Sequence, residues 1–502
     1  MMFDLILNGL ASAVEPLNLL FTFLGTALGI MVGAMPGLSS PMAIVVLLPI
    51  TYSMDTLTAL LMLVGVYCGT KLGGSFPAIL LRTPGTPAAA CTSLDGYKMA
   101  ARGEAGLALG YATMGSTFGS LLGWLACTIC APLIATVALK AGSADIALIG
   151  IVGLVMVSIF SRGAMLKGLI GVALGLLVST VGVDPISGTP RYTFGNFDLM
   201  GGIPFISALV GMFAIGVVLS DIKIIGTKSS LQTDKIDFRL PKLMDTIKRW
   251  PAVVIGSVYG VLVGAIPGVG AEGSTWLAYA TMKKKSKNPE EYGTGIPEGI
   301  LTPESSNNAV TGGALIPMLT LGIPGDGSTA IMLGAIMLHG LNPGVTLFKE
   351  SPTLVYGMIA GLLTSAIFMF FIAWKMIKPF VYMLQRDRSW IFPFVLLFSS
   401  IGAFSSSNTT YPVIVAVVFG VLGYVMEKFN FPIVTVVLAI ILGPIIEENL
   451  RLALVISENG WLTFVSTWPR IVLILVVLYL AFSEMYNSYK SYKQPRISVK
   501  QC

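Results

Sequence analysis

Two stretches of this sequence share the same spacing of glycine and proline: 25–37 is GTALGIMVGAMPG, and 256–268 is GSVYGVLVGAIPG. A second pair follows in the same order, because 77–85 is PAILLRTPG and 317–325 is PMLTLGIPG. The first pair is offset by 231 residues and the second by 240. Each stretch is an apolar helical pattern that ends in Pro-Gly, and this dipeptide interrupts a helix. The repeated order predicts a duplicated chain with two interrupted helices in each half.

The composition places these helices in a membrane. Hydrophobic residues make up 55% of the 502-residue chain, charged residues make up 11%, and the mean hydropathy is +0.83. Soluble domains carry about 25% charged residues, so this chain has too little charge to cover several globules. Apolar runs recur along the chain with a length of roughly 20 residues, which spans a hydrocarbon core. The sequence therefore predicts an all-α polytopic membrane protein with roughly 10–12 membrane segments.

Loop charge indicates that the two halves are inserted in opposite directions. Lysines at 283–285 and 287 follow the second glycine-rich helix, whereas the matching loop, 51–56, has neither Lys nor Arg. Lys98 and Arg102 follow the first Pro-Gly hairpin, whereas the matching loop, 337–345, has neither. Basic residues in short loops stay on the cytoplasmic side. We therefore predict two inverted-topology repeats with broken helices or re-entrant hairpins, and a bundle without inversion is the alternative.

The same pattern predicts the division of the chain. Repeat 1 spans 1–220, a cytoplasmic linker spans 221–250, the inverted repeat 2 spans 251–486, and a cytoplasmic tail spans 487–502. With the basic loops inside, the N-terminus lies outside and the C-terminus lies in the cytoplasm. The first 70 residues contain no Lys or Arg, so no cleaved signal peptide is expected.

Broken helices at membrane depth predict a binding site. Their unpaired backbone groups must face protein, water or a ligand. Amides at the start of a half-helix suit a carboxylate, and carbonyls at its end suit a cation such as Na⁺. Alternatively, the Pro and Gly residues only bend the helices and let them pack closely. The predicted substrate-binding residues are Gly37, Leu38, Ser39, Ser40, Thr70, Lys71, Gly85, Thr86, Gly268, Ser274, Asn307, Asn308, Gly325 and Ser328.

Charged residues within membrane segments are functional candidates because their burial is costly. We expect Glu272, Glu304 and Asp326 to bind the coupling ion or to form a gate. The amides of Asn307 and Asn308 suit a carboxylate or a cation, or else cap a broken helix end. We further predict that 36–37 and 267–268 meet across a pseudo-two-fold axis, with 84–85 and 324–325 close by.

Other classes of function fit the sequence less well. His339 is the only histidine and the five cysteines are scattered, so neither a His-rich metal site nor Ser-His catalysis is expected. The basic residues lie in short loops, which argues against nucleic-acid binding. The Gly-x-Gly-x-x-Gly pattern at 268–273 follows an apolar helix rather than a strand, so dinucleotide binding is rejected. We expect no enzyme activity and no cofactor. A passive anion channel and an integral-membrane enzyme are the alternatives.

Six motifs carry a resemblance to a known family. They are GAMPGL at 33–38, GSFPAIL at 74–80, TPGTPA at 83–88, LDGY at 94–97, PESSNNA at 303–309 and GALIPMLTLGIPG at 313–325. In this order they resemble the large membrane subunit of the tripartite tricarboxylate transporter family, from Pro16 to about Met485. Asp326 is a departure, because the family often has a small neutral residue there.

The resemblance implies a function and partners. The family imports carboxylates across the bacterial cytoplasmic (inner) membrane with a periplasmic solute-binding protein and a small membrane subunit, driven by an ion gradient. Ion coupling is also expected from energetics, because importing a dianion against an inside-negative potential costs about 4.6 kcal/mol per 100 mV. Entry becomes favourable with three cations. The sequence leaves open the identity of the carboxylate, the choice of Na⁺ or H⁺ and homo-oligomerisation. Alternating access, of the elevator kind, is the expected mechanism.

Overall fold

Helices form nearly all of the regular structure in the computed structural model, which describes residues 2–35, 37–160, 165–221, 239–383 and 392–493. The α-helices of the first half are α1 (Met2–Ala13), α2 (Pro16–Gly33), α3 (Ser40–Leu47), α4 (Thr56–Leu81), α5 (Ser93–Met99), α6 (Ala105–Ala138), α7 (Ser143–Phe160), α8 (Met165–Ser179), α9 (Phe205–Val210) and α10 (Gly216–Asp221). Between α8 and α9, β1 (Gly182–Val183) and β2 (Pro190–Arg191) form an antiparallel hairpin in which Gly182 pairs with Arg191.

The second half repeats the order of long and short helices. Its members are α11 (Leu243–Lys248), α12 (Trp250–Gly264), α13 (Gly270–Lys285), α14 (Glu298–Leu321), α15 (Gly327–Leu338), α16 (Val345–Glu350), α17 (Pro352–Met383), α18 (Phe392–Ser405), α19 (Tyr411–Lys428), α20 (Ile433–Ile456) and α21 (Trp468–Lys493). At the offsets of the sequence repeat, α12, α13, α14 and α15 correspond to α2, α3, α4 and α5. Single turns of 3₁₀-helix, such as Pro87–Ala90, connect several of them.

The prediction of an all-α polytopic membrane protein is confirmed. Six helical stretches among the described residues are long and apolar enough to cross a membrane: Pro16–Gly33, Thr56–Leu81, Ser93–Ala138, Pro352–Lys375, Tyr411–Lys428 and Ile433–Ile456. Eight further apolar helices have 10–17 residues. Several of these shorter helices, α3, α12 and α15 among them, adjoin the Pro-Gly breaks, because each break divides an apolar stretch.

The glycine repeats bring helices into backbone contact. A Cβ atom at Gly25, Gly29 or Gly33 would overlap the carbonyl oxygens of α4. The second half packs in the same way, because a Cβ at Gly256 or Gly260 would overlap the backbone of α14. The helix-packing interpretation of these glycines is therefore confirmed, and each half contains a tightly packed helix pair beside its breaks.

The corresponding long helices α4 and α14 cross each other and run antiparallel. The side-chain contacts between them are Cys68 with Thr311, Lys71 with the side chain of Asn307, and Ser75 with Glu304. Residue numbers rise along one helix as they fall along the other. Opposite insertion of two repeats requires this direction for corresponding helices at a shared axis. The inversion itself and the orientation of each half across the membrane stay predictions.

The predicted boundaries fall partly outside the described residues. Residues 222–238 of the predicted linker and 494–502 of the predicted tail lie outside them. The described part of the linker contains α11, and α21 continues to Lys493, beyond the predicted end of repeat 2 at 486. The division into two repeats, a linker and a tail stays a prediction.

Candidate functional site

The second break of each half forms the same turn. The amide of Thr83 donates to the carbonyl of Pro77 at 3.3 Å, and the amide of Ile323 donates to that of Pro317 at 3.2 Å. Each long helix thus ends in a tight turn, and the chain reverses at the following Pro-Gly. Gly85 then packs against the carbonyl of Gly33, so the two breaks of the first half lie together.

The breaks of one half also contact those of the other. Pro41, which follows the first break, packs on Gly327, which follows the last. Ala88 and Ala271 share a buried apolar cluster, so the remaining two breaks meet as well. Each first break therefore faces the second break of the opposite half. Direct contact between 36–37 and 267–268 was predicted, but Pro36 lies outside the described residues and Gly268 packs beside Val157.

A charged pair joins the two halves at this junction. Lys71, near the middle of α4, has its Nζ 3.8 Å from Oδ2 of Asp326, and both side chains are buried. The hydroxyl of Tyr67 donates to the same carboxylate oxygen at 2.6 Å. The Lys71 ammonium also lies over the Tyr67 ring, 5.0 Å from its centroid. Glu272 adds a further negative charge to the surroundings of Lys71.

Asp326 occupies the amino end of α15. Its Oδ1 accepts from the amide of Thr329 at 2.9 Å, and the hydroxyl of Thr329 accepts from the amide of Asp326 at 2.9 Å. This reciprocal cap fills the helix terminus that was predicted to hold a substrate carboxylate. A substrate anion bound there would face the protein's own carboxylate.

The first half has neutral helix starts at the same places. Ser39 caps α3 through its hydroxyl, which accepts from the amide of Met42 at 3.4 Å. Thr86 precedes the turn Pro87–Ala90 and makes no side-chain cap. In the second half, Glu272 lies in the first turn of α13. The helix starts after both breaks of the first half therefore carry no charged side chain, although Arg82 ends α4, whereas those of the second half each carry a carboxylate.

The predicted substrate-binding side chains divide into two groups. The hydroxyls of Thr70 and Ser40 are hydrogen-bonded at 2.8 Å, and those of Ser274 and Ser306 at 2.6 Å. These side chains therefore already have partners within the protein. Other predicted side chains have a buried polar atom without a hydrogen-bond partner. These atoms are Oγ1 of Thr86, Oδ1 of Asn307, Nδ2 of Asn308 and Oγ of Ser328. Burying such atoms is costly unless a ligand or water pairs with them.

The Asn pair lies where α4, α6 and α14 meet. Asn307 donates through Nδ2 to the carbonyl of Lys71 at 3.3 Å. Asn308 accepts through Oδ1 from the hydroxyl of Ser120 at 3.3 Å. In each amide, one polar atom bonds to a neighbouring helix and the other has no hydrogen-bond partner. This leaves one atom of each side chain able to bind a polar ligand.

Exposure differs between the first and second breaks. Gly37 is exposed, and Ser39, Gly268 and Glu272 are half-buried. Leu38, Gly85 and Gly325 are buried. The first break of each half is thus the more open, and the paired charges lie behind it.

The third predicted carboxylate lies in a different environment. Glu304 is fully buried in α14 and accepts hydrogen bonds from the hydroxyls of Thr92 and Ser116. No cluster of three or more His, Cys, Asp or Glu side chains positioned to hold a metal ion occurs within the described ranges.

Several partners were missed by the sequence analysis. Tyr67 holds Asp326, the hydroxyls of Ser75, Thr92 and Ser116 surround Glu304, and Asp95 is fully buried between the halves. Asp95 lies within the quoted motif LDGY, and Ser75 within GSFPAIL. Their position within these motifs was the only sign in the sequence that these two residues could be functional. No periodic spacing marks them.

One family model matches most of the chain, and two relatives share 36% of their aligned residues with it. The profile described as "Tripartite tricarboxylate transporter TctA family" matches residues 19–438. The chain is 36% identical over 475 residues to an "Uncharacterized 52.8 kDa protein in TAR-I ttuC' 3'region" of Agrobacterium vitis, covering 93% of each chain. It is 36% identical over 207 residues to an "Uncharacterized protein in TAR-II ttuC' 3'region" of the same organism, covering 41% of this chain and 86% of that one. No solved structure matches the chain at a significant level.

Proposed function

This chain belongs to the tripartite tricarboxylate transporter TctA family, and from that premise we propose that it imports di- and tricarboxylates by cation symport. It is a multi-pass membrane protein and the membrane subunit of a transporter. The proposed partners are a periplasmic solute-binding protein and a small membrane subunit. The proposed location is the bacterial inner membrane, with the N-terminus outside and the C-terminus in the cytoplasm.

One observation carries the proposed substrate site: a buried lysine lies beside unpaired polar atoms where the broken helices of both halves meet. The backbone carbonyl of Lys71 accepts from Nδ2 of Asn307 of the second half, while its ammonium lies at Asp326. Asn307, Asn308 and Thr86 each keep an unpaired buried atom. An ammonium, amides and a hydroxyl can all bind a carboxylate. Of these groups only the ammonium is charged, so the empty site buries a single charge in the membrane.

The charge distribution supports separate places for anion and cation. The neutral helix starts of the first half, with Lys71, suit the substrate carboxylates. The second half places Glu272 and Asp326 at its breaks, which suits a coupling cation. Bringing both ions to one junction lets each reduce the cost of burying the other.

Alternating access is proposed to move the four break segments together. Because each first break packs against the second break of the opposite half, the four segments form one contiguous unit, and an elevator-like motion would carry it as a body. A passive channel is the competing function. Counterflow in proteoliposomes separates the two, because a transporter is stimulated by substrate on the opposite side and a channel is not.

The Asn pair and Lys71 test the site. We expect N307A/N308A and, separately, K71Q to abolish uptake of radiolabelled citrate by the reconstituted three-component transporter. The measured initial rate should fall at least tenfold, which corresponds to about 1.4 kcal/mol. Insertion and thermal stability of each variant are the controls. Unchanged uptake in the double variant would remove both amides from the site.

Two threonines three residues apart provide a matched comparison. Thr86 is buried with an unpaired hydroxyl, whereas Thr83 is exposed on the same turn. We expect Thr86→Val to raise the KM for citrate several-fold because it removes a polar contact. Thr83→Val should leave the KM unchanged, and equal effects of both substitutions would contradict a binding role for Thr86.

Cysteine labelling tests the proposed topology. In a cysteine-free background, single cysteines within 283–287 should react only with a reagent applied from the cytoplasm. Those within 51–56 should react only from outside. If both loops react from the same side, the two halves are not inverted.

A further inference from the structure

A fully buried carboxylate lies at the centre of four elements from both halves. Glu304 of α14 accepts at Oε2 from the hydroxyl of Ser116 of α6 at 2.8 Å, and at Oε1 from Thr92, just before α5. Ser75 of α4 is its third hydroxyl partner. Among the described residues, no ion pair involves Glu304. A buried ionised carboxylate without a cation is very costly.

The charged groups nearby are engaged elsewhere. Lys71 pairs with Asp326, and Asp95 accepts from three backbone amides and a tyrosine hydroxyl. The Cys91 thiol lies close enough to both Glu304 and Asp95 to interact with them electrostatically. The titratable groups on the elements packed around this part of α14 are Tyr67, Cys68 and Lys71 of α4, Cys91 before α5, Asp95 of α5, Tyr111 of α6, Tyr259 of α12, Glu272 and Tyr279 of α13, and Asp326 of α15.

The hydroxyls around Glu304 can serve both of its protonation states. A serine hydroxyl has a single hydrogen. Ser75 lies against Glu304, and its one hydrogen can go either to the carbonyl of Leu72 or to the ionised carboxylate. While it is donated to Leu72, the lone pairs of Ser75 can accept from a protonated carboxyl. Thr92 and Ser116 donate to Glu304, which satisfies the ionised form. Each state finds partners without a rearrangement of the helices.

The contact between Ser116 and Glu304 fits a proton better than a metal cation placed between their two oxygens. Ser116 and Glu304 are joined at hydrogen-bonding distance, 2.8 Å between the two oxygens. An ion bound between two oxygens must hold them further apart than a shared hydrogen does. A proton needs no added space. When it binds, the carboxyl group becomes a donor in a hydrogen bond in which the carboxylate was the acceptor.

We propose that Glu304 binds and releases the coupling proton, with Ser75, Thr92 and Ser116 as the groups that satisfy its two states. A proton from water on one side forms the O–H bond, and this bond breaks when the proton passes to water on the other side. The charge of the site changes from −1 to zero and back. The proposal deepens the proposed function, on which it rests, by adding a coupling proton at Glu304, apart from the cation proposed to bind near Glu272 and Asp326.

Infrared spectroscopy of the full-length protein in lipid vesicles tests the proton directly and needs no transported substrate. A pH titration should change a protonated-carboxyl C=O band in the wild type, and Glu304→Gln should lose that change. Glu298→Gln, on the same helix but half-exposed and paired with Arg249, is the matched control and should retain it. Ser75→Ala should shift the band because it removes the acceptor. A titrating band unchanged in both Glu304→Gln and Ser75→Ala would overturn the proposal.

Transport by the reconstituted three-component complex separates failure of this proposal from failure of the proposed function. Glu304→Gln should keep citrate counterflow but lose accumulation driven by a pH gradient. Accumulation equal to that of the wild type would overturn the assignment of Glu304, as would wild-type uptake that requires only a Na⁺ gradient. Absence of wild-type counterflow would instead contradict the proposed function, while the infrared result would still decide whether Glu304 carries a proton.

Discussion

The two halves close against each other at two corresponding places, and the chemistry of these places differs. In one, α5 meets the residues that precede α14, where Asp95 and Arg102 enclose residues 293–296. We call this the Asp95 clamp. In the other, the end of α15 meets the beginning of α4, where Nδ1 of His339 lies 3.4 Å from the hydroxyl of Thr56. At the offset of the repeat, Ala335 corresponds to Asp95 and Asn342 to Arg102.

The Asp95 clamp binds both sides of one peptide segment. The buried Asp95 carboxylate accepts from the amides of Gly293, Gly295 and Ile296 at 2.8–3.1 Å. Arg102 donates to the carbonyls of the same segment. The amides converge on one carboxylate because Gly293 and Gly295 have φ values of +91° and +102°, a region that other residues rarely adopt.

The contact at His339 is much weaker. Within the described part of the chain, His339 makes one long hydrogen bond there, and its Nε2 is buried with no hydrogen-bond partner. The two halves thus share the place of contact but not its strength. If the predicted topology is correct, the tight contact faces the cytoplasm and the loose contact faces outside.

The strongest test of this comparison is Asp95→Ala. It leaves three amides and the Tyr279 hydroxyl without their acceptor, so we expect a loss of about 3 kcal/mol or more in the free energy of unfolding. Thermal unfolding of the purified protein measures the effect. Asp55→Ala is the matched control, because Asp55 is an exposed cap at the corresponding place before α4 and should cost only about 1 kcal/mol. Equal losses of unfolding free energy in Asp95→Ala and Asp55→Ala would contradict the difference in strength between the two contacts.

Arg102→Ala should have a smaller effect. The side chain is half-exposed, so the loss of its hydrogen bonds to the carbonyls of Thr294 and Gly295 should cost about 1 kcal/mol. Hydrogen exchange of residues 293–296 should become faster, whereas Lys98→Ala, an exposed change on α5, should leave it unaltered. If hydrogen exchange of residues 293–296 is unchanged in Arg102→Ala, Asp95 alone holds this segment.

The smallest effect concerns pH at the weak contact. Burial lowers the pKa of His339, and Asp55 opposes this shift. The unfolded chain therefore binds the proton more tightly, so this residue's contribution to stability falls as pH drops below about 6.5. We expect the unfolding temperatures of wild type and His339→Gln to diverge by a few degrees between pH 7.5 and 5.5. A pH-independent difference would show that His339 does not titrate in this range.

Much of the junction between the helix breaks could be predicted from sequence. Lys71, Thr86, the Asn pair and the three carboxylates were named from the motifs, and the structure gathers Lys71, Asn307 and Asp326 into one place. The contacts of each first break with the second break of the opposite half were predicted only as a general proximity. The predicted meeting of 36–37 with 267–268 stays a prediction, because Pro36 lies outside the described residues. The partners Tyr67 and Asp95 were missed since single polar residues within apolar helices have no periodicity to mark them.

By itself, the sequence determined the membrane class, the repeated spacing of glycine and proline, and the positions of the four helix breaks. These properties are local: hydropathy follows composition, and Pro-Gly interrupts a helix wherever it occurs. Only the tertiary structure decided which carboxylate has a counterion and which has hydroxyls alone. Asp95 and Gly293 are 198 residues apart, and Tyr67 and Asp326 are 259 apart. Contacts of this kind depend on how two helices cross, because a shift of one residue turns a side chain by about 100° away from its partner.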